Sequence, residues 1–183
     1  MKYKNMLSSY CQAVDRCIRM IGESVAWFMP VLALVVGFEV FARYLFGSPT
    51  EWAFDVSLFI ASYVAALSGA LAQQSFSHIN VDILYEKVSA CCQSIFNLII
   101  YLIIGFFMSV VLIMAIDRFQ EALVYDYRRM SDWAPAMHHF WVMLAVSAGL
   151  VLLQLSSHCI KDVYFLLHRQ ALPVPVKEHG YEY

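Results

Sequence analysis

The sequence alternates long uncharged apolar runs with shorter polar stretches, and four of the runs are long enough to cross a bilayer. The clearest is Val56 to Phe76, which carries no charged residue. A membrane-spanning helix needs about 20 such residues. The pattern predicts spans at about 24–46, 54–76, 94–116 and 136–157. In the first, Pro30 falls in the opening two turns, where proline is best tolerated. Between the second and third, Ile83, Leu84, Val88 and Cys91 recur at helical spacing among Asp82, Glu86, Lys87 and Gln93. This predicts an amphipathic interfacial helix over 80–93, with Asn80 as N-cap and Asp82 in its first turn. A second amphipathic segment precedes the first span: Leu7, Tyr10, Val14, Ile18 and Ile21 make an apolar stripe suited to the membrane surface. It is expected to be retained, because the first long apolar run begins only near Ser24, too late for a secretory signal. A charged outer loop is expected over 117–135, with Arg118, Glu121, Asp126, Arg128 and Arg129, and a polar tail from Lys161.

Composition strengthens this picture. Of 183 residues, 61% are hydrophobic and 14% charged, against about 45–50% and 25% in a soluble domain. The expectation is an all-α integral membrane protein of one domain, with four transmembrane helices plus the two interfacial ones. A net charge of −2 offers no basic excess for nucleic acid. Cys11, Cys17, Cys91, Cys92 and Cys159 are odd in number and form no CxxC, so neither a disulfide framework nor a zinc site is suggested. Four spans put both termini on one side. With that side inside, the inner segments hold Lys2, Lys4, Arg16, Arg19, Lys87, Lys161, Arg169 and Lys177, and the outer ones Arg43, Arg118, Arg128 and Arg129. This excess of basic residues favours cytoplasmic ends.

Candidate chemistry is sparse. There is no Gly-rich phosphate loop, HExxH or nucleophile elbow, and no enzyme activity is expected. Ser57, Ala61, Ala65, Gly69 and Ala72 share one face of the second span, where another helix can approach closely, either within this chain or across a seam with a second protein. Glu39 and Arg43 are four apart and can pair, or else snorkel separately at the outer interface. Trp52 suits the interfacial aromatic belt. His78 and His158 fall near the same membrane face, which keeps open a haem- or quinone-associated anchor of a respiratory enzyme, although both are expected at the water interface. His78 and Asp82 either cap the turn at the start of the interfacial helix or contribute to a sodium or substrate site.

The stretch Phe41-Ala42-Arg43-Tyr44-Leu45-Phe46-Gly47-Ser48-Pro49, then Trp52 and Asp55, then His78-Ile79-Asn80-Val81-Asp82-Ile83-Leu84, resembles the DctQ-type small membrane subunit of TRAP (tripartite ATP-independent periplasmic) transporters. The resemblance implies a non-enzymatic scaffold in the bacterial inner membrane. Its implied partners are a large DctM-type permease subunit, which holds the sodium and substrate sites, and a periplasmic solute-binding protein. The implied cargo is an organic acid, and the small subunit itself is expected to hold no cofactor, metal or substrate.

Overall fold

The computed structural model describes residues 2–74 and 90–169. Five helices follow in order: α1 Lys2–Ala26, α2 Phe28–Leu45, α3 Ala53–Gln74, α4 Ala90–Val124 and α5 His138–His168. Among the described residues the only β-type pairing is an isolated bridge between Arg128 and Ala136. Four helical stretches are long and apolar enough to cross a membrane, the first formed by α1 and α2 together. The all-α membrane class is therefore as the sequence predicts.

The helix limits follow from local chemistry. Pro30 removes one N–H and crowds the carbonyl four residues back, which belongs to Ala26, and that residue ends α1. Gly47, at φ 60°, reverses the chain after α2, and the Phe46 and Ser48 N–H groups both donate to Ala42 O, at 3.2 and 3.4 Å. Glycine adopts that conformation without the steric penalty that a Cβ brings. At the other end of the molecule, Arg169 closes α5 in the same left-handed region.

Three expectations change. The third span does not give way to a loop at 117. The helix runs on to Val124, because neither glycine nor proline falls between Asp117 and Val124 and Arg118 pairs with Glu121 one turn on, at 2.7 Å. At about 1.5 Å per residue, α4 is roughly 52 Å long against a hydrocarbon core of about 30 Å, so its charged last turns reach beyond the lipid tails. At its other end α4 takes in residues 90–93, the last four of the expected interfacial helix; residues 80–89 lie outside the described residues. Finally, α5 continues past Lys161 to His168.

The N-terminal segment is helical, as predicted, but the middle of its apolar stripe, Val14 and Ile18, is covered by protein, while Tyr10 stays exposed. Cys11, Val14, Ile18 and Val25 are buried, and α1 packs against α3 and α5. Val14 and Ile18 join Ala70, Tyr101, Val151 and Leu155 in the central cluster. The cross-contacts give the directions of the helices. Phe59 meets His139, and Ser147 Oγ donates to Ala66 O at 2.5 Å, so α3 and α5 run parallel. Tyr101 stacks on His158, with ring centroids 5.7 Å apart, and Gly105 faces Leu155, so α4 runs antiparallel to α5. One end of the bundle thus carries the α2–α3 turn and the α4–α5 loop. The other carries the start of α1 and the end of α5.

At Gly22, α1 passes close against Leu71 of α3. A methyl group there would lie 2.6 Å from Leu71 Cδ2 and 2.9 Å from Leu71 Cβ, whereas at Gly37 it would meet nothing within 4 Å. We expect Gly22→Ala to destabilise the chain by about 1–3 kcal/mol, the usual range for overpacking, and Gly37→Ala to leave it unchanged or slightly more stable. Thermal unfolding of the two variants in detergent checks this; equal midpoints would show that α1 is not held against α3.

Candidate functional site

Asp55 lies in the first turn of α3, where the helix dipole favours a carboxylate. Its residue is 0% exposed. A buried carboxylate needs a charge partner and hydrogen bonds, and the α4–α5 loop supplies both. Arg129 Nε sits 2.7 Å from Asp55 Oδ1, as a charge contact rather than an aligned hydrogen bond. Ser131 Oγ donates to Asp55 Oδ2. Ser131 Oγ also accepts from the Ala134 N–H at 3.2 Å, and the Arg129 guanidinium lies 5.9 Å from the Phe54 ring centre. The loop is closed on itself behind these groups. Arg129 N–H donates to Pro135 O at 3.0 Å and Met137 N–H to Tyr127 O at 2.9 Å. Asp126 and Ala134 both turn at φ 46°, a region Asp tolerates and Ala enters at a cost of roughly 1–2 kcal/mol.

Beside this clasp, Glu39 closes the α2–α3 turn. Arg43 reaches it through Nη2 at 2.6 Å and Nε at 3.1 Å. Thr50 donates to its other oxygen through the backbone N–H, at 3.0 Å, and through its hydroxyl. Trp52 stacks on Phe38, with centroids 5.9 Å apart. Arg43 and Asp55, which flank the turn and share one end of the bundle, therefore do not pair with each other: each has its own partner.

A second polar cluster ties the opposite end. Asp15 of α1 receives Lys161 Nζ at 2.7 Å, Gln154 Nε2 at 3.1 Å and Ser157 Oγ at 3.3 Å, all from α5. Its carbonyl accepts from Gln74 Nε2 of α3 at 2.9 Å. Gln154 and Ser157 are fully buried. The Gln154 amide also donates to His158 Nε2 at 3.1 Å. His158, expected at the water interface, is instead buried between Tyr101 and Gln154. Asp15, Gln154 and Ser157 belong to no motif, and Lys161 stands out in the sequence only as one of the inner basic residues. The signal was there: Gln154, Ser157, His158 and Lys161 make a polar stripe at helical spacing on an otherwise apolar helix, which requires a polar partner.

His78 and Asp82 lie outside the described residues. The small-residue face of α3 is not used up inside the chain: Ala61 and Ala65 are exposed, Ser57, Gly69 and Ala72 are half-exposed, and the opposite face, through Ala53, Phe59, Ala70 and Gln73, is the buried one. His139 shares a hydrogen bond with Tyr63 and packs edge-on against Phe59. Among the described residues no group of three or more His, Cys, Asp or Glu converges.

Residues 32–165 match the family model described as tripartite ATP-independent periplasmic transporters, DctQ component. A search of curated proteins found no match.

Removing Arg129 would leave Asp55 buried and uncompensated. Because Arg129 is itself 27% exposed, the expected loss lies at the low end of the range for breaking a buried pair, about 3 kcal/mol. Arg129→Ala should therefore lower the unfolding midpoint, and adding Asp55→Asn should restore part of it. An Arg129→Ala protein as stable as the parent would show that the ion pair does not hold the loop.

Proposed function

The chain belongs to the DctQ-component family of the tripartite ATP-independent periplasmic transporters, and we propose that it serves there as a fixed membrane scaffold that braces a larger transport subunit. The observation that carries this reading is the state of the charges. Asp15 with Lys161, Glu39 with Arg43, and Asp55 with Arg129 are each paired within the chain. A substrate or ion pathway at membrane depth calls for intramembrane charges and broken helices. Here α3 is unbroken from Ala53 to Gln74 and free of charge beyond Asp55, and α4 carries none before Asp117. The carboxylates that could bind an ion are instead engaged inside the chain: Asp15 ties α1 to α5, Asp55 ties α3 to the α4–α5 loop, and Glu39 holds Arg43 and Thr50 at the α2–α3 turn.

On this reading, sodium and the solute, an organic acid, are handled by the large permease subunit, and a periplasmic binding protein delivers the solute. The small subunit sits in the inner membrane with both ends in the cytoplasm. The basic residues support that orientation: Lys4, Arg16, Arg19, Lys161 and Arg169 belong to the end of the bundle that carries the start of α1 and the end of α5. The outward small-residue face of α3 is the surface offered to the large subunit, since close helix approach in a bilayer depends on small side chains.

A double variant, Ala61→Trp with Ala65→Trp, should fold, because both positions are exposed, yet should lower the yield of co-purified complex several-fold. Uptake per assembled complex in proteoliposomes should keep its sodium midpoint, and Asp82→Asn should keep it as well. An undiminished complex yield would remove α3 from the seam. A shifted sodium midpoint would place this subunit in the coupling machinery and end the scaffold reading.

A further inference from the structure

The groove between the start of α1 and the end of α5 has no role in the scaffold reading. It has a volume of about 590 Å³ and is lined by Lys4 and Leu7 of α1 and by Cys159, Ile160, Val163, Tyr164, Leu167 and His168 of α5. Lys4, Leu167 and His168 lie at the end of the groove nearer the first turn of α1 and the last turn of α5. Leu7, Cys159, Ile160 and Val163 lie further in, and from Ile160 to His168 the helix advances roughly 12 Å. Val163 and Leu167 leave much of their surface uncovered, 43% and 74%. Tyr164 and His168 stack with centroids 4.3 Å apart, which fixes the rim.

We propose that this groove binds one anionic phospholipid, an acyl chain along the apolar wall and the phosphate at the Lys4 rim. The charge balance selects the occupant. Lys4 makes no ion pair among the described residues, and the positive end of the α1 dipole lies in the same turn. The nearby carboxylates are engaged elsewhere: Asp15 holds Lys161, and Asp162 faces Asn97 and Tyr101 of α4. His168 and Arg169 end α5 beside the rim. Basic pockets between membrane helices are suited to anionic headgroups, and the apolar wall excludes a free phosphate as sufficient occupant. A lipid in this position would fasten the first turns of α1 to α5 beyond the reach of the Asp15 cluster.

The test uses the full chain alone, so that its result is independent of any transport subunit. The detergent-purified protein is exchanged into mixed micelles containing phosphatidylglycerol or phosphatidylcholine, and retained lipid is counted by native mass spectrometry. One phosphatidylglycerol per chain should be retained in preference to phosphatidylcholine. Lys4→Gln should weaken that retention about fivefold, the effect of one basic residue on an anionic lipid surface. Val163→Trp should abolish it by filling the wall, and Arg118→Gln, at the other end of the bundle, should change nothing. Thermal unfolding confirms that each variant is folded; should Val163→Trp fail to fold, Lys4→Gln still decides. Phosphatidylglycerol retention that survives Lys4→Gln, or equal retention of phosphatidylcholine, overturns the proposal.

Discussion

Burying Asp55 at the start of α3 obliges the protein to bring a positive charge and a hydroxyl to it, and much of the loop end of the bundle follows from that need. The carboxylate is fully enclosed, so Arg129 and Ser131 must come down from the α4–α5 loop, and the loop must fold back through Pro135 and Met137 to place them. Lipid tails are as apolar as leucine, so burying apolar surface does little to drive one helix onto another in a bilayer. Relative helix positions are then set by close fits and polar ties. Asp15 performs at the chain-end side what Asp55 performs at the loop side: one carboxylate of α1 gathers three groups of α5, while its backbone carbonyl takes the Gln74 amide of α3.

The parts of this architecture legible in the sequence are those that the bilayer itself imposes. Helix is the simplest way for a single chain segment to satisfy its backbone in hydrocarbon, so the four apolar runs translated directly into helices. The turn after α2 was legible from Gly47. What escaped is long-range pairing. Asp15 and Lys161 stand 146 positions apart, and Asp55 and Arg129 stand 74 apart; spacing along one helix carries no information about such contacts. Arg43 flanks the same turn as Asp55, yet Glu39, one turn away on the same helix, satisfies Arg43 locally. The end of α4 escaped for a related reason. Asp117, Arg118 and Glu121 have the composition of a loop, yet charged residues continue a helix readily once it emerges from the lipid tails and they can pair at i, i+3.

The face of the molecule that is not tied down is also informative. α2 buries only Ala42, and Leu34, Phe38 and Tyr44 stand more than half exposed along it. The small-residue face of α3 is equally open. Asp15, Glu39 and Asp55 are paired within the chain, while the apolar side chains of α2 and the small side chains of α3 face outward, which suits the proposed scaffold. The polar clasps at both ends give that scaffold its rigidity, and the packing of α1 across α3 and α5 extends it toward the chain ends.

Rigidity through the transport cycle is therefore the central claim, and a distance measurement tests it most directly. Spin labels at Ser48, in the α2–α3 turn, and at Met130, the fully exposed tip of the α4–α5 loop, report on the two segments flanking the Asp55 clasp, in a background from which the native cysteines have been replaced. Pulsed electron resonance on the assembled transporter in nanodiscs should give one distance distribution, unchanged by sodium, by solute or by the binding protein. A distribution that shifts or splits when sodium and solute are added would show that this subunit moves with the cycle, contrary to a fixed scaffold.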